Sequence, residues 1–184
     1  MFDVEEFVHD CTAAAREAQP TLAVKEILQR AMNDPDLVTA ALPPERAEIA
    51  PLHVSDELTV LKVVWAPGMS FRPHNHLMWA GIGLYVGQED NVFYRRSEGG
   101  LAVSGGRELR TGDVALLGDG TIHSVENPLR SFTGAIHVYG GHLPARPGRS
   151  EWTEQTFEEI AYDFDRTVRH FEEANRNSPS TGAG

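Results

Sequence analysis

The stretch GMSFRPHNHLMWAGIGLYVG, residues 68–87, decides how the chain is read. His74 and His76 flank a single residue, and alternate side chains of an extended strand share one face, so the two imidazoles can grip one metal ion. Working outward, residues from about 47 onward are short runs of Val, Ile, Leu, Tyr and Phe punctuated by turn residues. The pattern predicts strands over 48–54, 58–66, 76–86, 91–96, 101–104, 107–110, 114–117, 122–126 and 132–139. Pro67-Gly68, Gly87, Gly105-Gly106 and Thr111-Gly112-Asp113 read as the turns between them. Many short strands without intervening helices mean an antiparallel barrel or sandwich.

The flanks read as helix. Phe2, Phe7, Cys11, Ala14 and Ala15, then Leu22, Ile27, Leu28 and Met32, recur at helical spacing, with breaks at Gln19-Pro20, Asp34-Pro35 and Pro43-Pro44. Residues 151–176 carry an apolar stripe from Phe157 through Ile160, Phe164 and Val168 to Phe171 and are expected as helix. The expected organisation is an N-terminal helical extension over 1–46, a barrel over 47–146, a packed C-terminal helix over 147–176 and a disordered tail over 177–184. At 184 residues one core is expected, not two.

The net charge of −11 is unevenly spread. Residues 1–48 hold 4 basic and 10 acidic side chains, residues 150–184 hold 3 and 8, and the middle balances at 9 and 9. No basic patch for nucleic acid is expected. An acidic start and no long apolar run lead to an expectation of no membrane partner and a cytoplasmic location. Six of the eight histidines fall in the neutral middle, and the single cysteine, Cys11, excludes a multi-cysteine site. A metal would therefore be held by histidine and carboxylate.

A second motif, Gly112-x5-Gly118-x-Gly120-x2-His123-x3-Asn127, follows the first. Together with Gly68-x5-His74-x-His76 and Gly87 it resembles the two motifs of the cupin superfamily, with eight of ten motif residues present over roughly residues 47–145. Gly81 is placed where that family's glutamate stands, and Gly118 where its proline stands. The resemblance implies a small antiparallel cupin β-barrel, or double-stranded β-helix, with N-terminal helices and a C-terminal helix added. It also implies metal ligation by His74, His76 and His123. Three neutral imidazoles leave a dication uncompensated, which favours an anionic ligand such as a thiolate, carboxylate or enolate.

Within the superfamily the chain resembles the thiol dioxygenases, of which cysteine dioxygenase is the familiar member. Trp65 lies nine residues before His74, as a tryptophan does there, and His137-Val138-Tyr139 is similar to that family's H-x-Y pair. The resemblance gives His137 and Tyr139 catalytic roles in orienting and protonating oxygen species. A tyrosine-linked cysteine of the mammalian members corresponds to Gly81, as it does to glycine in bacterial ones. The family's serine is Ala135 here, with Thr133 or Ser131 as substitutes, and its carboxylate-gripping arginine has no direct counterpart. His53 falls near that place, and Arg72, Arg95 or Arg96 are the other candidates for substrate binding. Glu89-Asp90 reads as a hairpin pair rather than a carboxylate ligand.

Three functions fit these residues. One is an iron(II) dioxygenase that takes a small thiol and O2 to a sulfinate. Another is a three-histidine cupin enzyme with other chemistry, such as diketone cleavage or isomerisation, and the third is a metal-retaining small-molecule sensor. Iron is the expected metal, with zinc, nickel and manganese as alternatives, and the expected assembly is a monomer or homodimer.

Overall fold

The computed structural model describes residues 1–177. Three helices come first: α1 (Val4–Ala14), α2 (Pro20–Met32) and α3 (Pro35–Ala41). Asp3 starts α1 by accepting from the backbone N–H of Glu5 at 2.9 Å and of Glu6 at 3.1 Å, donors that a first turn leaves unpaired. Pro20 and Pro35 open the next two, where a missing N–H costs little.

The strands are β1 (Glu48–Val54), β2 (Thr59–Trp65), β3 (Ser70–Asn75), β4 (Ala80–Val86), β5 (Gln88–Ser97), β6 (Gly100–Arg110), β7 (Val114–Leu117), β8 (Ile122–Glu126) and β9 (Thr133–Tyr139). Their antiparallel pairing is nested: the β5–β6 hairpin is enclosed by β4–β7, then β3–β8, then β2–β9. That order is a jelly roll, the double-stranded β-helix of the cupins. With two further short strands, β10 (Ser150–Trp152) and β11 (Glu159–Ala161), it forms two sheets, β1-β2-β9-β4-β7 and β11-β10-β3-β8-β5-β6. The expected closed barrel is not formed among the described residues. Trp65, Phe71, Ile82, Leu84 and Leu109 fill the space between the sheets, holding them as two packed layers with free edges.

Strand β4 shows how the layers are dressed. Ala80, Ile82 and Leu84 point between the sheets, while Gly81, Gly83 and Tyr85 face the N-terminal helices. A Cβ on Gly81 would come within 2.8 Å of Leu28 Cδ1, so the glycine is what lets α2 lie flat on the sheet.

Two expectations need correction. Gly105-Gly106, read as a turn, lies inside β6, where a register shift opposite Phe93 and Tyr94 absorbs the irregularity. The helix expected over 151–176 begins only at α4 (Phe164–Asn177). Before it, β10 (Ser150–Trp152) and β11 (Glu159–Ala161) form a hairpin that extends the second sheet through β3. The cause is local: Thr153 Oγ1 accepts from Glu158 N–H and meets Thr156 Oγ1, Phe157 takes a φ of 53°, and Trp152 is buried. Helical spacing of apolar residues continues through this segment, but the turn overrides it. The tail expected to be disordered lies, beyond Asn177, outside the described residues. Helix α4 closes one end of the sandwich, with Phe171 5.2 Å from Trp65 between ring centres.

Candidate metal centre

His74 on β3 and His123 on β8 are direct cross-strand partners, so their rings share one face, and His76 follows just past the end of β3. All three are buried, and one nitrogen of each lies within 4.8 Å of the others. His74 Nε2 and His76 Nε2 are 3.1 Å apart.

Hydrogen bonds determine which nitrogens are bare. His74 Nδ1 faces the Arg72 carbonyl at 3.0 Å; a carbonyl only accepts, so Nδ1 carries the proton and Nε2 keeps a lone pair. His123 Nδ1 faces Asn91 Oδ1 at 2.7 Å, and its Nε2 is buried with no protein partner. Burial holds all three imidazoles in the neutral form: His74 and His76 are pushed well below the ordinary value, and His123 to about 4. Neighbouring imidazoles add to the effect for His74 and His76. The bare His74 Nε2 lies 3.1 Å from His76 Nε2, the separation of two nitrogens bound about 2.0–2.1 Å from one ion. The donor set therefore fits a divalent metal.

The three rings form one wall of a cavity of about 200 Å³ between the sheets. That is below the ~300–1,000 Å³ of pockets for drug-sized ligands and suits a small molecule. Ile49, Leu61, Val63 and Phe164 give it an apolar lining. His137 and Tyr139 face into it from β9, His137 Nδ1 lying 2.9 Å from the Tyr139 hydroxyl. Burial raises the Tyr139 phenol above its ordinary pKa, only partly offset by Arg149, so it is protonated and a donor.

Arg149, which the sequence did not single out, also lines the cavity. Only 8% exposed, it donates through Nε to Asn75 O at 3.2 Å and through Nη1 to Leu143 O at 3.4 Å, and its guanidinium stacks 3.7 Å over Tyr162. No carboxylate of the described residues pairs with it. It is the only permanently charged side chain among the lining residues described. Its position after Gly148, in a segment expected as helix, hid it.

The residues expected to bind substrate are placed elsewhere. Arg72 turns its guanidinium toward Glu151, Nε to Oε1 at 3.9 Å, and offers only its carbonyl to His74. Arg95 is exposed opposite Ala102, Arg96 pairs with Glu159, and His53 bonds Ser55 at 3.1 Å outside the cavity. Thr133 is engaged with the backbone of Gln88. Gly81 faces α2, and the inward residue beside it, where the cupin motif spacing also allows a glutamate, is Ala80, which pairs with Tyr139. Alanine there explains the lack of a fourth ligand better than Gly81 does. Glu89, read as a hairpin residue, is instead fully buried on β5, its Oε2 3.7 Å from His137 Nε2.

No family model matches the chain. Among solved structures it is similar to the BH2720 protein of Bacillus halodurans, at 17% identity and a TM-score of 0.50 over 62% of this chain and 83% of that one. An uncharacterized conserved protein with a double-stranded beta-helix domain from Klebsiella pneumoniae matches at 16% and 0.43, over 59% and 86%. An RmlC-like cupin family protein from Methanocaldococcus jannaschii matches at 9% and 0.44, over 55% and 86%. At such identities the likeness to BH2720 is one of fold and says nothing of activity.

Proposed function

We propose that the chain is a metal-dependent cupin oxygenase, an iron(II) enzyme that converts a small carboxylate-bearing thiol and O2 into a sulfinate. The observation that supports this reading best is the convergence of three neutral imidazoles on a small apolar cavity where, among the described residues, Arg149 is the one permanent cation and has no carboxylate partner. His74, His76 and His123 would hold the iron, which when bound supplies a centre where a thiolate and O2 meet. The overall conversion, RSH + O2 → RSO2H, balances without another co-reactant.

The protein's own residues do the rest. Arg149 binds the substrate carboxylate, and its stacking on Tyr162 and two backbone bonds fix the guanidinium beforehand. Tyr139 donates its one hydroxyl hydrogen to His137 Nδ1 and presents the phenol oxygen to the cavity as an acceptor, so it takes a proton from a bound group as it passes its own to His137. Ile49, Leu61 and Phe164 exclude water from the carbon chain.

The test is metal analysis of untagged protein followed by oxygen consumption with cysteine, 3-mercaptopropionate and cysteamine. Iron is expected, with uptake of one O2 per thiol and faster turnover of the two carboxylates than of cysteamine. Iron-loaded protein that consumes no oxygen with any thiol overturns the reading; turnover of a diketone instead would favour the cleavage chemistry.

A further inference from the structure

Glu89 is a carboxylate fully buried between the sheets at the start of β5. Burial alone would raise its pKa, yet His137, Asn91 and Trp65 together hold it below the ordinary value, so it is an anion in a dry interior. Its contacts run in two directions. Oε1 accepts from Asn91 Nδ2 at 3.0 Å, and Oε2 accepts from Trp65 Nε1 at 2.9 Å while lying 3.7 Å from His137 Nε2. His137 Nε2 is buried and has no closer acceptor.

A carboxylate only accepts, and that fixes everything bonded to it. The Asn91 amide must turn its NH2 toward Glu89, which turns Oδ1 toward His123 and requires the proton on His123 Nδ1. His123 Nε2 is then left bare toward His74 and His76. On the other side, the anion favours the proton on His137 Nε2, which makes His137 Nδ1 the acceptor of the Tyr139 hydroxyl. We propose that Glu89 is a positioning residue for both halves of the site, setting the tautomer of the ligand His123 through Asn91 and that of His137 directly. It also places one negative charge beside the imidazoles without ligating, where it partly compensates a bound dication. This role depends on the three-histidine centre of the reading above and not on its thiol chemistry.

Two readouts on protein free of substrate test it. In long-range 1H–15N spectra of the metal-free chain, His123 is expected as the Nδ1–H tautomer and His137 as the Nε2–H tautomer. In Glu89→Gln, whose amide both donates and accepts, both tautomer assignments become mixed, and Co(II) affinity by titration calorimetry falls about 10–100-fold. Asn91→Leu cuts only the branch to His123: its tautomer becomes mixed and Co(II) binds about tenfold more weakly, while His137 keeps Nε2–H. This variant also decides the matter if Glu89→Gln does not fold. A carboxylate that merely fills space would lower the melting temperature of the variants and leave the tautomers alone. Unchanged tautomers, with Co(II) affinity about equal to that of the parent in the folded variants, overturn the proposal. Failure of every thiol to consume oxygen would not, because neither readout involves turnover.

Discussion

The Tyr139 hydroxyl and His137 Nδ1 lie 2.9 Å apart, two residues along the same face of β9. The Tyr139 ring also packs edge-on against His76, with centres 4.9 Å apart. One phenol is thereby fixed between a metal-ligand candidate and a polar network that runs through His137 to Glu89 and on through Asn91 to His123. Ala80, paired with Tyr139 on β4, carries no group that could bond the ring covalently or add a fourth ligand.

Tyr139→Phe keeps the ring and deletes the donor. The expected result is a kcat lower by about 10²-fold with metal content and circular dichroism unchanged. Leaving His137 Nδ1 unpaired also costs stability, about 1–3 kcal/mol in a urea titration. Wild-type turnover at full metal loading would show that the hydroxyl serves only the packing.

His76→Ala removes a ligand from a protein whose core does not depend on the ion. Trp65, Ile82, Leu84 and Leu109 belong to an apolar cluster between the sheets that a lost ion would leave in place, unlike the interior of a zinc finger. The variant is expected to lose most bound metal, measured by mass spectrometry, while far-ultraviolet circular dichroism stays that of the parent. Unfolding on loss of the metal would contradict this.

How much of this was legible in the sequence differs by element. The three histidines were readable from motif spacing and the His137–Tyr139 pair from strand alternation, both local signals, although β3, which carries His74, was not among the expected strands and His76 lies past its end. Arg149 and Glu89 were not, because each acquires its role from partners far along the chain: Asn75 and Tyr162 for the first, Trp65 and His137 for the second. The strand holding Glu89 begins at Gln88, three residues earlier than its pattern suggested, which moved Glu89 from a turn into the interior. Residues 150–161 misled in the other direction. Their apolar spacing is helical, but the Thr153 turn and the pairing of Glu151 with His74 in register make strands. A one-residue ambiguity in motif spacing likewise assigned the lost ligand position to Gly81, although only Ala80 faces inward.

Arg149→Gln keeps a polar N–H donor on a shorter side chain and removes the charge. For a carboxylate-bearing thiol, KM is expected to rise by about tenfold or more, the loss of a charge-assisted hydrogen bond of about 1.5–3 kcal/mol. Cysteamine, which offers no carboxylate, should be turned over as by the parent. An equal loss for both substrates would mean that Arg149 supports the fold through Asn75 and Leu143 and does not bind substrate.

Acid is expected to destabilise the metal-free protein in a defined window. Unfolded, His123 titrates near its ordinary 6.5, whereas in the folded protein burial lowers it to about 4. Between those values the unfolded chain binds a proton that the folded one refuses, so stability is complete above pH 6.5 and declines as pH falls toward about 4. His74 and His76 are shifted in the same direction, chiefly by burial, and steepen the decline. Glu89 acts lower: its pKa is held below the ordinary 4.5, so the stability it contributes is present above that value and is lost as pH drops through its folded pKa. Urea titrations of chelator-treated protein from neutral pH to about pH 4 measure this as a falling midpoint. Protonation also competes with metal for the same nitrogens, so metal-loaded protein should fall more steeply over the window. His123→Gln removes one of the three titrating rings and should flatten the metal-free profile. A midpoint that is level across this range in the parent would mean that the imidazoles are not held neutral in the folded state.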